Sequence, residues 1–191
     1  MEKQQKYTIG IDLGGTNTVF GIVDAQGTIV AQDSMKTQAY ETAEAFVEAG
    51  VARLVPLISK VGGLDAIAGM GIGAPNANFY TGAIETAPNI TWAHERTVPL
   101  AKMFSEQLSS LDSRQKEPFP VRITNDANAA AMGEMAYGAA RGMKNFIVIT
   151  LGTGVGSGIV INGQLVYGHD GFAGELGHVT MVRGKEGRAC G

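Results

Sequence analysis

Three short runs of alternating apolar and polar residues open the chain, at 7–13 (YTIGIDL), 17–24 (NTVFGIVD) and 28–35 (TIVAQDSM). A period of two is what a half-buried strand presents. Gly14-Gly15 and Ala25-Gln26-Gly27 separate the runs, so they predict an antiparallel meander. The period then changes: Ala45, Val47, Val51, Leu54, Val55 and Ile58 recur at near-helical spacing over 41–61, with Pro56 placed to kink or divide that helix. A buried strand at 66–73 runs into the turn signal Ala74-Pro75-Asn76. A second helix is expected over 97–110 and a short strand over 120–124. An alanine-rich helix follows over 127–140, with Asp126 near its start. Residues 145–151, 158–161 and 165–167 close the pattern as a second hairpin set.

This order, βββ-α-β-α-β-α-ββ, predicts an α/β protein with a mixed sheet, because hairpins open both halves. The halves also resemble each other. Leu13-Gly14-Gly15-Thr16 leading to Gly21-Ile22-Val23-Asp24 is echoed by Leu151-Gly152-Thr153-Gly154 leading to Gly158-Ile159-Val160-Ile161. Each copy is a strand, a Gly/Thr turn, a return strand and another glycine turn. We therefore expect two related half-domains, 1–121 and 122–191, facing one another across a cleft.

Composition narrows the class. With 45% hydrophobic and 17% charged residues the chain is globular rather than disordered. A net charge of −3 supplies no basic field for nucleic acid or an anionic membrane, so an anionic ligand must be held by local backbone geometry. No apolar run approaches membrane-spanning length, and the N-terminus lacks the apolar core of a signal peptide. One cysteine fits a reducing cytoplasm. The final residues, Gly187-Arg188-Ala189-Cys190-Gly191, read as a loop with no element to close it, which suggests a fragment of a longer protein.

The glycines number 27 and cluster at 10–15, 69–73, 152–158 and 168–177. Glycine lets backbone N–H groups approach a phosphate without a Cβ in the way, and threonine adds a hydroxyl donor. Asp12-Leu13-Gly14-Gly15-Thr16-Asn17 and Leu151-Gly152-Thr153-Gly154 both offer this. Neither is a Walker A loop or a dinucleotide fingerprint, since a strand follows each. Tight turning alone also uses such residues; two matched copies favour phosphate. Asp12 beside polyphosphate needs a cation between them, for which Mg²⁺ is the natural choice. Asp126 can serve as an N-cap and, facing a cleft, as a base for an attacking hydroxyl. In the segment 168–178, Glu175 and His178 are spaced to present two polar heads to one ligand, though a plain surface loop has the same composition. His94 and His169 read as surface or packing residues, and Cys190 with His178 is too little for a zinc site by count.

Together these residues resemble the ROK family (repressors, open reading frames and kinases) within the hexokinase–actin ATPase superfamily. The resemblance rests on IDLGGTNTVFGIVD (11–24), GIGAP (71–75), APNITW (87–92), NDANAAAMGE (125–134) and the stretch 151–180, which holds a Gly-Glu-x-Gly-His signature. It implies an actin-like ATPase (ribonuclease H-like) fold, its second half-domain incomplete here. It also implies that Gly14, Gly15, Thr16 and Asn17, with Gly152, Thr153 and Gly154, hold ATP phosphates and that Asp12 assists Mg²⁺. Asp126 would be the catalytic base, and Asn89, Asn125, Asp126, Glu175 and His178 would bind sugar hydroxyls. Family kinases carry a zinc loop, of which His178 and Cys190 would be two of the four ligands. Asn76 stands where the family usually has glycine.

The resemblance implies an ATP-dependent hexokinase, with glucose the first choice of acceptor and N-acetylhexosamine or fructose the alternatives. A non-catalytic sugar-sensing protein is the other class. It is disfavoured because Asp12 and Asp126 are both present and no DNA-binding element precedes the first strand. The parent is expected to be a cytoplasmic homodimer, and this chain by itself is expected to show little activity.

Overall fold

The computed structural model describes residues 6–112, 117–152 and 154–179. They fall into two compact units, the first ending at Asn125 and the second beginning at Asp126.

The first unit is built on a five-stranded sheet. Strands β1 (Tyr7–Leu13), β2 (Asn17–Asp24) and β3 (Ile29–Lys36) form the antiparallel meander, with Leu13 opposite Thr18 and Thr18 opposite Met35. Beyond β1 the sheet turns parallel: β4 (Ile67–Gly73) pairs with it. The order is completed by a later strand, Val121–Thr124, on the far side of β4. Alternation decides the faces. Ile9, Ile11 and Leu13 point into the core, while Asp12 lies on the other face, in register with Val19 of β2 and Gly73 of β4.

Helix α1 (Ala43–Lys60) is one continuous helix, so Pro56 does not divide it. Pro56 stands on the exposed side beside the exposed Ala52, whose carbonyl loses its helical donor to proline but can turn to water. Thr42 caps the start, its hydroxyl accepting from the Ala45 N–H at 3.1 Å. The buried stripe Phe46, Val47, Val51, Leu54, Leu57 and Ile58 covers the sheet, and Phe46 lies 4.6 Å, centroid to centroid, from Trp92. Burying one such side chain contributes about 1.5–3 kcal/mol.

A small three-stranded sheet follows: β5 (Ala77–Asn78), β6 (Ala83–Glu85) and β7 (Thr97–Val98). The helix expected from 97 therefore starts later, as α2 (Leu100–Ser109), because Thr97 and Val98 are taken by pairing with β6 and Pro99 begins the turn. The unit ends with β8 (Val121–Thr124).

The second unit starts directly with α3 (Asp126–Ala136), shorter than the expected 127–140. The chain turns out of the helix at its end, where Glu134 Oε2 accepts from the Ala139 N–H at 2.7 Å. Then come β9 (Phe146–Leu151), β10 (Val155–Ile161) and β11 (Gln164–Leu165), an antiparallel sheet in the order β11-β10-β9. Alanines of α3 meet glycines of β10. A methyl group on Gly158 would stand 2.6 Å from the Ala131 Cβ, so neither residue can grow without separating the layers. On β9 the alternate residues Ile147, Ile149 and Leu151 are exposed, and among the described residues no strand pairs with its outer edge.

The two halves are related as the repeat suggests. Each has an antiparallel hairpin whose strands are joined by a three-residue loop, 14–16 or 152–154, followed by a short turn and a third strand. Among the described residues, no helix is long and apolar enough to cross a membrane.

Candidate functional site

In the first unit the loop 14–17 is held from behind. The Gly14 N–H donates to the Asn17 carbonyl at 3.0 Å, closing the turn. The Thr37 hydroxyl donates to the Gly14 carbonyl at 2.7 Å, and the Gln38 amide donates to the Gly15 carbonyl at the same distance. Thr37 in turn is fixed by a 2.9 Å hydroxyl contact with Thr18, by its own N–H donating to Thr16, and by Trp92, whose indole N–H donates to its carbonyl. In a trans peptide the carbonyl of one residue and the N–H of the next point in opposite directions. Tying down the carbonyls of Gly14 and Gly15 therefore aims the N–H groups of Gly15 and Thr16 away from the protein. Among the described residues neither N–H finds an acceptor. Two oriented donors on one exposed loop are what a phosphate oxygen requires.

Asn89 is brought to this loop. A Cβ on Gly15 would lie 3.2 Å from the Asn89 carbonyl and 3.4 Å from its Cβ, so the segment 87–91 rests against the hairpin. Lys36 adds a cation, its ammonium donating to Asn17 Oδ1 at 2.8 Å. Lys36, Thr37 and Gln38 were not singled out by sequence. Lys36 ends the third strand and Thr37 and Gln38 follow it with no periodicity or motif, and only the fold shows what they reach.

Asn76, where the resemblance leads one to expect glycine, takes φ +50°. Asparagine tolerates that left-handed conformation better than other side chains. Here its amide donates to the Thr86 carbonyl at 2.8 Å, while the Asn76 carbonyl accepts from the Glu85 N–H. The turn keeps a glycine-like backbone and gains a side-chain tie.

Asn125 ends the first unit and Asp126 opens α3, where its Oδ1 accepts from the Ala127 N–H at 2.8 Å. Among the described residues, the buried Thr124 hydroxyl and Asn128 Oδ1, one residue before and two after this pair, have no hydrogen-bond partner. Unsatisfied buried polar atoms are uncommon and concentrate where a site awaits a ligand or water.

Within the second unit three segments converge on Val155–Ser157 of β10. The first turn of α3 arrives at Gly156, where a Cβ would come within 3.0 Å of the Ala127 Cβ. Gly177 sits on the Val155 carbonyl and Gly174 on the Ser157 carbonyl. The Ser157 hydroxyl donates to the Gly174 carbonyl. This explains the Gly-Glu-x-Gly-His spacing: both glycines face the strand, leaving Glu175 and His178 to project. A 3-10 turn over Leu176–His178 brings their side chains to 3.8 Å, with His178 largely exposed and Glu175 less so. The hairpin loop 152–154 enters the same strand at Val155, closed by the Gly152 N–H donating to Gly154 at 3.0 Å. Thr153 and Cys190 lie outside the described residues. Also among those described, no group of three or more His, Cys, Asp or Glu residues is placed to hold a metal ion.

A meander with a Gly/Thr hairpin, backed by helices and repeated in a second unit, defines the actin-like ATPase fold. The chain belongs to the ROK family, which it matches over residues 8–191. It is 40% identical over 185 residues to a glucokinase of Streptomyces coelicolor, covering 96% of this chain and 52% of that one. Another relative is the xylose repressor of Bacillus subtilis, at 31% over 191 residues, covering 99% of this chain and 46% of the repressor. Among solved structures, a ROK family glucokinase from Streptomyces griseus in complex with glucose and AMPPNP superposes with a TM-score of 0.74 at 37% identity. That match covers 92% of this chain and 51% of the neighbour. The chain thus spans about half the length of the curated relatives it matches.

Proposed function

We propose that this chain is part of a cytoplasmic, homodimeric ATP-dependent hexokinase that transfers the γ-phosphoryl of ATP to glucose. The observation that carries the proposal is the convergence on Val155–Ser157 of the helix headed by Asp126, the second glycine hairpin and the Glu175–His178 turn. A base, a phosphate loop and a pair of polar heads for hydroxyls meet on one strand. The kinship with a glucokinase whose structure holds glucose and AMPPNP supports the same reading.

In this reading the hairpin loops of Gly14, Gly15, Thr16 and Asn17 and of Gly152, Thr153 and Gly154 cradle the phosphates, with the Gly15 and Thr16 N–H groups as donors in the first and the Gly14 and Gly152 N–H groups closing the turns. Asn89, Asn125, Glu175 and His178 orient the hexose hydroxyls. Asp126 takes the proton from the attacking hydroxyl as its oxygen bonds to phosphorus, while ADP leaves with the electrons of the broken P–O bond. Asp12 is one carboxylate beside a phosphate loop, a donor suited to Mg²⁺, which when bound would neutralise phosphate charge. Structural zinc takes four ligands. These 191 residues offer His178 and the single cysteine, Cys190, so two ligands would have to come from elsewhere, and we assign zinc no step.

The repressor relatives favour a second reading, a sugar-sensing protein that binds the hexose without phosphorylating it. A coupled ADP-release assay of the longest protein containing this chain, run across glucose, N-acetylhexosamines and fructose, decides between them. Turnover with one hexose, lost in Asp126→Asn while that hexose still binds, supports the kinase. Near-wild-type turnover in Asp126→Asn removes Asp126 from the base role, and hexose binding without ADP release selects the sensor.

A further inference from the structure

Gln38 stands two residues beyond the end of β3 and is exposed, yet its carboxamide is fully engaged. Its Nε2 donates to the Gly15 carbonyl at 2.7 Å and to the Asn89 carbonyl at 2.5 Å. Its Oε1 accepts from the Thr91 N–H at 3.1 Å and from the Thr91 hydroxyl. A primary amide has two N–H donors and one oxygen with two lone pairs. All of that capacity is spent, across sequence separations of 23, 51 and 53 residues. An exposed glutamine gives up much rotamer freedom when held this way. Four simultaneous bonds therefore mark a constraint on the two loops rather than on the side chain.

We propose that Gln38 is a positioning residue that couples the hexose loop at 87–91 to the phosphate hairpin at 14–17, so that sugar bound at Asn89 sets the aim of the phosphate donors. This rests on the roles given above to Asn89 and to Gly14–Asn17. The route is short. Gln38 holds the Gly15 carbonyl, and the peptide plane carrying that carbonyl also carries the Thr16 N–H. Any shift of Asn89 or Thr91 pulls the carboxamide, and the carboxamide tilts that plane. Gly15 and Asn89 also lie so close that a Cβ on Gly15 would come within 3.2 Å of the Asn89 carbonyl, which keeps the two segments side by side. Coupling of this kind is reciprocal: phosphate on the hairpin tightens the hexose loop to the same degree.

The test uses the longest protein containing this chain, its Gln38→Leu variant, which removes every bond, and Gln38→Glu, which keeps acceptors for Thr91 but loses both donors. Amide NMR follows glucose titrations, and AMPPNP affinity is measured with and without saturating glucose. In the parent chain glucose should shift the Thr91 amide and also those of Gly15 and Thr16. It should tighten AMPPNP about fivefold or more, the usual lower range for coupled sites. In both variants the glucose shifts should stop at 89–91, and the ratio of AMPPNP affinities should fall to near one. An undiminished ratio in Gln38→Leu overturns the proposal, as does a Gln38 side-chain amide that exchanges with solvent at the rate of free glutamine. A parent chain in which Gln38 is protected from exchange but no hexose shifts any amide overturns the hexose reading of Asn89, and the coupling with it. The clasp itself then stands as a structural tie, so the two failures are told apart.

Discussion

Replacing Gly177 by alanine is the sharpest challenge to the geometry of the Glu175–His178 turn. A Cβ there would lie 2.0 Å from the Val155 carbonyl oxygen and 3.0 Å from its carbon, whereas ordinary van der Waals contact begins at 3.4 Å. The clashing atom is backbone in a paired strand, so it cannot swing aside. The loop must instead lift by more than an ångström. Gly177 does not occupy the left-handed region, so alanine brings no conformational strain of its own and the perturbation is purely one of contact. Overpacking of this sort costs about 1–3 kcal/mol. Lifting the loop also carries Glu175 and His178 out of register with Val155–Ser157, and a misplacement of about 1 Å in a site can reduce activity about a hundredfold. Gly177→Ala should therefore unfold at lower temperature than the parent and bind hexose at least about tenfold more weakly, a loss of about 1.4 kcal/mol. Amide signals from residues 7–24, in the other unit, should stay in place. Calorimetry and a hexose titration read both effects. An unchanged melting temperature with unchanged hexose affinity would refute the seating of this loop on β10.

Two further outcomes follow from single positions. Asp33 accepts a hydrogen bond from the Ser34 N–H at 2.8 Å and pairs with Arg53 at 3.2 Å. The Ser34 bond first, and then Arg53, hold its carboxyl below the ordinary value of 3.8 against the opposing effect of burial. A folded-state value below the unfolded one stabilises the protein above the unfolded value, and that contribution disappears as pH falls through the folded one. Asp33→Asn should thus cost up to about 1 kcal/mol at neutral pH, as befits a partly exposed pair, and progressively less as pH falls below 3.8 through the folded value; urea unfolding giving the same difference at neutral and at strongly acidic pH would contradict this. Gly133 lies exposed within α3 with open space where a Cβ would go, so Gly133→Ala should stabilise by about 0.5–1 kcal/mol, read as a higher melting temperature; a lower one would mean the helix is not regular there.

Much of this architecture was legible because long-range order here follows local pattern. The opening meander could be read from alternation broken by glycine turns, and the second hairpin from its echo of the first. Helix α1 was legible from its apolar stripe, although Pro56 suggested a break that the exposed Ala52 carbonyl makes unnecessary. The small sheet of β5, β6 and β7 was not, since strands of two or three residues are too short to show a period. The start of α2 moved for the same reason, its first expected residues being claimed by pairing with β6. The glycine motifs pointed to the site residues, but the scaffold of the first hairpin did not show. Thr37 and Gln38 act through backbone carbonyls up to 51 residues away in sequence, and any polar side chain looks alike until the fold reveals what it reaches.

Strand β9 has a consequence for the molecule as a material. Ile149 and Ile147 are more than half exposed and Leu151 is 83% exposed, along a strand whose outer ladder edge is unpaired among the described residues. An apolar face next to open N–H and C=O groups is a template for another chain. This strand is therefore expected to lower the solubility of these 191 residues, and a net charge of −3 does little to offset it. Light scattering that rises with protein concentration and subsides in Ile149→Lys is the expected signature, and a chain that stays monodisperse at high concentration would show that this face is shielded.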